Sequence, residues 1–399
     1  MQNIKTNPAR ITAMDTKTFN AAPGAIRRPD RCDRIALVLQ GGGALGAYQA
    51  GVYQALNEAG LEPDWISGVS IGGINAAIIA GNRIEDRLEA LSEFWRRITD
   101  RTLWVQAPDG DIFRQWRNAY SAMTTMIMGQ PGFFNPHKLN PWFLPPGAQD
   151  ATSYYDTAPL RQTLTEVVDF DLLNKKSVRF SVGAVNVQTG NFVFFDNQTD
   201  TILPEHVMAS GALPPGFPMV KIGTDYYWDG GVVSNTPLQH LLAQDDNLNS
   251  LVFQVDLFSA RGPLPRTIQD VMGREKDIVY SSRTRQVTDM FARLQRWKTR
   301  AYDALVKVPE DDLTQEQRAM RDKLANLPQA TILQMIYQRR IYESNARDYE
   351  FSADSMHEHW QAGLEDTRRT LTRKDWIAIP PKGVGIVTHD VHRDYDKPA

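Results

Sequence analysis

Apolar positions along the chain follow two rhythms. Ile35 to Leu39 ("IALVL") is apolar at every position, the mark of a strand buried on both faces, as in a parallel sheet. After a run of glycines, Tyr48, Val52 and Leu56, with Ala55 and Ala59, recur at three- and four-residue spacing, which predicts a helix ending at Gly60. The unit then repeats: "DWISGVS" (Asp64 to Ser70) reads as a strand and "IGGINAAIIAG" (Ile71 to Gly81) as a helix of small apolar residues. Two adjacent strand–turn–helix units predict a doubly wound sheet with right-handed crossovers.

The rhythm changes downstream. Glu85 to Ile98 is helical in pattern. The next stretch, with Trp104, Trp116, Phe133, Phe134, Trp142 and several Met and Pro residues, has no sustained period. It reads as an irregular cover over the core, or as a lid lining an acyl pocket. Alternation resumes in "SVRFSVGAVNVQTGNFVFFD", where a Thr189-Gly190 turn predicts a hairpin, and Leu251 to Phe258 is a further core strand. Arg274 to Arg300 reads as one helix, with Val287, Met290, Phe291, Leu294 and Trp297 on a stripe and Arg283, Arg285, Arg293, Arg296, Lys298 and Arg300 elsewhere. Such a stripe packs on its own domain or lies on an anionic membrane. "TILQMIYQ" reads as a late strand, Ser355-x-x-Glu358 resembles a capping box, and the chain beyond Pro380 is expected to be loose.

With 399 residues, the chain has room for one large α/β domain with an appendage, or for two domains. Its net charge of -3 carries no polyanion-binding signature, so no nucleic-acid partner is expected. Cys32 is the sole cysteine, which excludes an intrachain disulfide and a thiolate zinc site built by this chain alone; no metal or cofactor is called for. Residues 1–33 read as a mobile leader without the apolar run of a secretory signal, and no stretch approaches membrane-spanning length. A cytoplasmic protein is the expectation.

Two glycine motifs carry the candidate chemistry. Gly41, Gly43 and Gly46 satisfy G-x-G-x-x-G between a strand and a helix, and Asp64 follows at roughly the distance of a dinucleotide fingerprint. The second unit holds "GVSIG", Gly68 to Gly72, a G-x-S-x-G whose glycines permit a strained turn that lifts the Ser70 hydroxyl above the sheet edge. A serine attacking an ester generates an oxyanion, and the backbone amides of Gly41, Gly42 and Gly43 at a helix N-terminus are suited to hold it. A nucleotide site does not require a serine elbow on the neighbouring strand. Further on, "YYWDGGVVSNTPL" sets Asp229 on a tight turn before Gly230 and Gly231, where it is a candidate base. His240, His357, His359, His389 and His392 all follow Asp229, so the order of a Ser–His–Asp α/β-hydrolase triad also stays open, as does a nucleotide-binding protein.

Together, Gly-Gly-Gly-x-x-Gly, Gly-x-Ser-x-Gly and Asp-Gly-Gly, in this order, resemble the three blocks of the patatin-like phospholipase family, and "ASGALPPGFPMV" (Ala209 to Val220) resembles that family's Ala-Ser-x-x-x-Pro-x-x-Phe-Pro segment. The resemblance spans about residues 34–260, and the C-terminal third resembles an extension found in a bacterial subset of the family. It implies a three-layer α/β/α sandwich with a mainly parallel central sheet, carrying a mostly helical C-terminal extension. The division expected is a leader (1–33), a catalytic domain (34–260) with a lid-like insertion near 100–150, an extension (261–380) and a tail (381–399). The resemblance further implies a Ser–Asp dyad, with Ser70 as nucleophile, Asp229 as base and the Gly41–Gly43 amides as oxyanion hole. The substrates it implies are phospholipids, lysophospholipids or simple acyl esters, and the lid-like aromatic stretch and basic helix lead us to expect peripheral contact with a membrane or a lipid or polyester surface. Two positions depart from the pattern: Leu45 stands where relatives often carry Arg, and Gln40 where they often carry Asp.

Overall fold

The computed structural model describes residues 25–99, 111–244, 246–340, 343 and 346–392. Nine strands build its main sheet: β1 (Arg34–Leu39), β2 (Trp65–Val69), β3 (Arg179–Asn186), β4 (Phe192–Asp196), β5 (Val220–Ile222), β6 (Asp225–Asp229), β7 (Ser250–Asp256), β8 (Ala330–Ile336) and β9 (Ile386–Asp390). Their order is β9-β8-β7-β1-β2-β3-β6-β5, and β4 pairs with the remaining edge of β3. From β9 through β3 all neighbours are parallel, whereas β4, β5 and β6 join by antiparallel pairing.

The helices are α1 (Ala47–Glu58), α2 (Ile71–Ala80), α3 (Arg87–Thr99), α4 (Asp111–Met128), α5 (Ala158–Val167), α6 (Phe170–Asn174), α7 (Pro204–Ser210), α8 (Leu238–Leu242), α9 (Ile268–Tyr280), α10 (Thr284–Leu305), α11 (Gln315–Leu324) and α12 (Ala353–Leu371). Alternation along β1 explains the layering. Ile35, Leu37 and Leu39 enter one core with Phe253, Val255, α1, α2 and α3, while Ala36 and Val38 enter another with Val252, Ile332 and Leu238 and Leu241 of α8. Both sheet faces are therefore covered, which is why β1 is buried at every position.

From β1 the chain runs outward to β2 and β3, then returns to lay β7 on the other flank of β1. The strand order reverses at β1, and a crevice opens at the carboxyl ends of the strands at such a point. Both glycine motifs follow strands at that crevice.

The C-terminal third is less separable than expected. Its strands β8 and β9 extend the main sheet, and α12 packs on α1 so closely that a side chain at Gly51 or Gly363 would be driven into the other helix's backbone. The tail expected to be loose beyond Pro380 includes β9, paired in parallel with β8. The stretch expected to be aperiodic contains α4, whose Trp116, Tyr120, Met123 and Ile127 share a face turned to solvent rather than to the core. Residues 100–110, including Trp104, lie outside the described residues, as do residues 1–24 of the expected leader. The single helix expected over 274–300 is two, α9 and α10, divided where the Ser282 hydroxyl turns in to donate to Asp256 at 2.6 Å. The N-cap of α12 is Ser352, which accepts from the Ser355 amide at 3.3 Å; Ser355 lies inside the helix.

Candidate active site

Pairing along one edge of β3 sets the central geometry. β2 ends at Val69 opposite Gly183, and β6, entering from the other direction, ends at Asp229 opposite Ala184. Because β4 holds the other edge of β3, β2 and β6 meet head to head, and Ser70 is brought beside Asp229 across 159 residues of chain.

Ser70 adopts φ 56° and ψ −129°, a conformation that costs a non-glycine residue about 1–3 kcal/mol. The turn is tight enough that a side chain at Gly68 would strike the Gly72 carbonyl, and one at Gly72 would strike the Leu39 carbonyl at the end of β1. These are the packing reasons for the two glycines of G-x-S-x-G. The Ser70 amide donates to Ser210 Oγ at 2.9 Å, and Ser210 Oγ donates to the Gly183 carbonyl at 2.6 Å. Ser210, fully buried at the end of α7, thereby ties the strained elbow to β3.

Asp229 is 2% exposed. Burial pushes its carboxyl up to about 7, against the opposing pull of the neighbouring Ser70 hydroxyl and of the Gly231 amide. The Gly231 amide donates to Asp229 Oδ1 at 2.7 Å. At neutral pH such a group is divided between a proton-accepting and a proton-donating form, which suits acid–base work.

The glycine turn faces this pair. Gly41, Gly42, Gly43, Ser70, Asp229 and Gly231 line one cleft, while Gly46, Gly68, Gly72 and Gly230 pack behind it. The three amides are not equivalent: Gly41 N–H points at the Asn235 carbonyl at 3.4 Å, whereas Gly42 and Gly43 N–H have no acceptor among the described residues. Asn235 also donates through Nδ2 to the Gly41 carbonyl and to the Tyr280 carbonyl, each at 3.0 Å. It joins the segment after Asp-Gly-Gly to the first glycine turn. Gln40 accepts from the Leu257 and Phe258 amides at 2.6 and 3.0 Å and donates to Thr236 Oγ1 and the Tyr280 carbonyl. Leu45 is fully buried in the main core and presents nothing to the cleft.

Phe133, Phe134, Phe217, Phe351, Ile71 and Leu213 supply an apolar wall of the cleft, with Phe133 in ring contact with each of the other three phenylalanines. Lys276, Tyr280, Asp348 and Tyr349 from the C-terminal third form the polar wall. Sequence reading passed over Ser210, Asn235 and this polar wall. The first two lay within segments already quoted, but only their contacts assign them work.

The alternatives lose their anchors. All seven histidines are described and none lines the cleft; His240, for example, is stacked on Phe194, and His359 pairs with the buried Glu343. Asp64 precedes β2 and accepts from the Ile35 amide at 2.7 Å, at the end of the sheet opposite the glycine turn, so it cannot serve a ribose bound there. Among the described residues no group of three His, Cys, Asp or Glu side chains is placed to hold a metal ion.

By fold and site, the chain is a doubly wound α/β protein organised around a serine elbow. The family model for patatin-like phospholipase matches residues 37–242, just over half of the chain, and the protein belongs to that family. A second model, described as patatin phospholipase, matches residues 278–383, within the C-terminal third. Patatin-like phospholipase domain-containing protein 6 of Homo sapiens is 34% identical over 103 residues, 23% of this chain and 7% of that protein. Lysophospholipase nte1 of Aspergillus terreus is 54% identical over 50 residues, 12% of this chain and 3% of that one. The chain thus spans less than a tenth of the length of these relatives. Among solved structures, VipD from Legionella pneumophila aligns over 83% of this chain and 67% of its own, at 16% identity and a TM-score of 0.34.

Proposed function

We propose that this protein is a serine lipid acyl hydrolase working through a Ser70–Asp229 dyad. The observation that carries the reading is the head-to-head meeting of β2 and β6, which sets a strained serine against a buried carboxyl held near 7. Ionised Asp229 takes the Ser70 proton as Oγ attacks the ester carbonyl, and the oxyanion settles on the free amides of Gly42 and Gly43. Collapse of the tetrahedral intermediate breaks the ester C–O bond, and Asp229 returns the proton to the leaving alcohol. Water, deprotonated by the same carboxylate, then releases the fatty acid and restores Ser70. Each lost oxyanion donor costs roughly 2.7–4 kcal/mol in such chemistry. Gly41 contributes by holding the turn against Asn235.

The substrate reaches the cleft from a lipid surface. Trp116, Tyr120, Met123 and Ile127 on α4 are 56–75% exposed, and Trp142 and Phe143 are 80% and 86% exposed. Arg114 and Arg117 pin the polar side of α4 to Glu358 and Asp354 of α12, so its apolar side is held outward. Ile268, Met272, Ile278 and Val279 of α9 are similarly exposed on the helix that carries Lys276 and Tyr280 into the cleft. An apolar rim of this kind marks an interaction surface. The α10 stripe lies elsewhere: Phe291, Leu294 and Trp297 line a second groove with Arg34, Leu324 and Ile386, which borders the amino ends of the strands. No helix among the described residues is long and apolar enough to cross a membrane.

Two measurements test the reading. A fluorophosphonate probe is expected to label wild type at Ser70 and not Ser70→Ala, with acyl-ester and phospholipid hydrolysis lost in parallel; labelling at another residue overturns the assignment. Vesicle co-sedimentation is expected to fall when Trp142 and Phe143 are both changed to Ser, and binding unchanged by that variant removes the rim from the account.

A further inference from the structure

The polar wall of the cleft comes entirely from the C-terminal third, and its groups are mostly donors. Lys276 Nζ lies 2.5 Å from Asp348 Oδ1 and 5.3 Å from the centre of the Tyr349 ring, and an ammonium has three N–H groups, of which this carboxylate uses one. Lys276 is the sole cationic side chain among the residues lining the cleft. Among the described residues, neither the Tyr280 nor the Tyr349 hydroxyl is hydrogen-bonded to protein, although both rings line the cleft. Burial, with the Asp229 and Asp348 carboxylates adding to it, raises both phenols above their ordinary value, so they remain O–H donors at neutral pH.

This wall is held rigidly. Consecutive residues of α9 and of the 3-10 turn Arg347–Tyr349 are cross-paired: Lys276 with Asp348, and Asp277 with Arg347, the second pair buried. The Asp348 carbonyl is packed against the Cα of Gly43, which has φ 55°, leaving no room there for a side chain. The turn that carries Tyr349 therefore rests directly on the glycine turn that faces Ser70.

We propose that Lys276, Tyr280 and Tyr349 form an anion subsite beside the nucleophile, which selects esters carrying a phosphodiester a few bonds from the scissile carbonyl. The proposal rests on the serine hydrolase reading above and assigns its specificity to the C-terminal third. The two unbonded phenol hydroxyls, with the N–H groups of Lys276 that Asp348 does not take, match the non-bridging oxygens of a phosphodiester, which a neutral glyceride does not supply. Discrimination by hydrogen-bonding groups in a cleft exceeds that obtained from apolar contact alone.

The test uses short-chain esters as dissolved monomers, which separates cleft recognition from surface binding. Dihexanoylphosphatidylglycerol and a lysophosphatidylglycerol are compared with dihexanoylglycerol and a monoacylglycerol of matching chains. Wild type is expected to favour at least one phosphodiester ester over its neutral partner in kcat/KM. Lys276→Met is expected to shrink that preference about tenfold or more, mostly through KM, and Lys276→Arg to restore most of it. Tyr349→Phe, which removes one oxygen and preserves the ring packing, is expected to shrink it about threefold. Collapse in the diacyl pair or in the lyso pair identifies the favoured substrate. Equal losses on charged and neutral esters in both pairs, or no wild-type preference, overturn the subsite. Fluorophosphonate labelling of Ser70 in the same preparations keeps the two readings apart, since labelling without discrimination defeats only the subsite.

Discussion

Asp229 and Asp256 are the last residues of two strands in the same sheet, both fully buried, yet they are built for opposite purposes. Asp256 is surrounded by donors: Gln254 Nε2 at 2.8 Å, Gln334 Nε2 at 2.8 Å and Ser282 Oγ at 2.6 Å. Asp229 receives one backbone amide, has the Ser70 hydroxyl as its neighbour, and opens on a cleft. Burial raises the carboxyls of both. The difference shows that a buried carboxylate becomes a candidate base when its remaining valence faces the place where a substrate enters. One with its donors already in place serves the packing of strands and helices.

The largest expected effect separates the two directly. Asp229→Asn and Ser70→Ala should lower kcat by roughly 10²- to 10⁴-fold while remaining folded by circular dichroism. Asp256→Ala should leave kcat within about threefold. A comparable loss in Asp256→Ala at intact stability would erase the contrast.

Stability should move the other way. Asp229 has a folded pKa of about 7 against an unfolded value of about 3.9, so the folded state holds its proton more tightly. That contribution is present below the unfolded value and is lost as pH rises to 7, leaving a penalty of about 4 kcal/mol above it. Asp229→Asn removes the penalty. Its melting temperature should therefore exceed that of wild type by a margin that grows from pH 4 to pH 7 and then levels; a margin independent of pH contradicts the assignment. Asp256→Ala should instead destabilise, by roughly 1–3 kcal/mol for each buried donor left unpaired, as read by chemical denaturation.

Activity follows the same titration. Because the base must be ionised, kcat/KM of wild type should fall about tenfold per pH unit below 7 and level off above it. A profile flat down to pH 5 means that Asp229 is not the group being titrated. The smallest effect concerns the elbow's anchor. Ser210→Ala leaves the Ser70 amide without its acceptor, and should cost about tenfold in kcat with little change in KM. If KM rises instead, Ser210 shapes substrate binding and not the elbow.

Much of this contrast was legible in the chain. "GVSIG" named Ser70 because flanking glycines are the local requirement of a strained turn, and "DGG" named Asp229 through the company of the other two blocks. The buried runs of β1, β2 and β7 declared a parallel sheet. Little local marked Asp229 off from Asp256, since two of the three side chains that donate to the latter, Gln334 and Ser282, are distant in sequence. The period of α4 does not mark a core helix, because its apolar face meets no core. Leu45, noted only as a departure from relatives, proves to be a core residue.

Sequence by itself determined the strand–turn–helix units, the elbow and the glycine turn, because each depends on the conformational limits of a few consecutive residues. Tertiary structure alone decided that β2 and β6 meet end to end on one edge of β3, and that Ser210 and Asn235 brace the motifs. It alone set Lys276, Tyr280 and Tyr349 in the same cleft as Ser70. Those placements depend on long-range pairing and on which buried groups find partners, and no short stretch of chain contains both halves of such a contact.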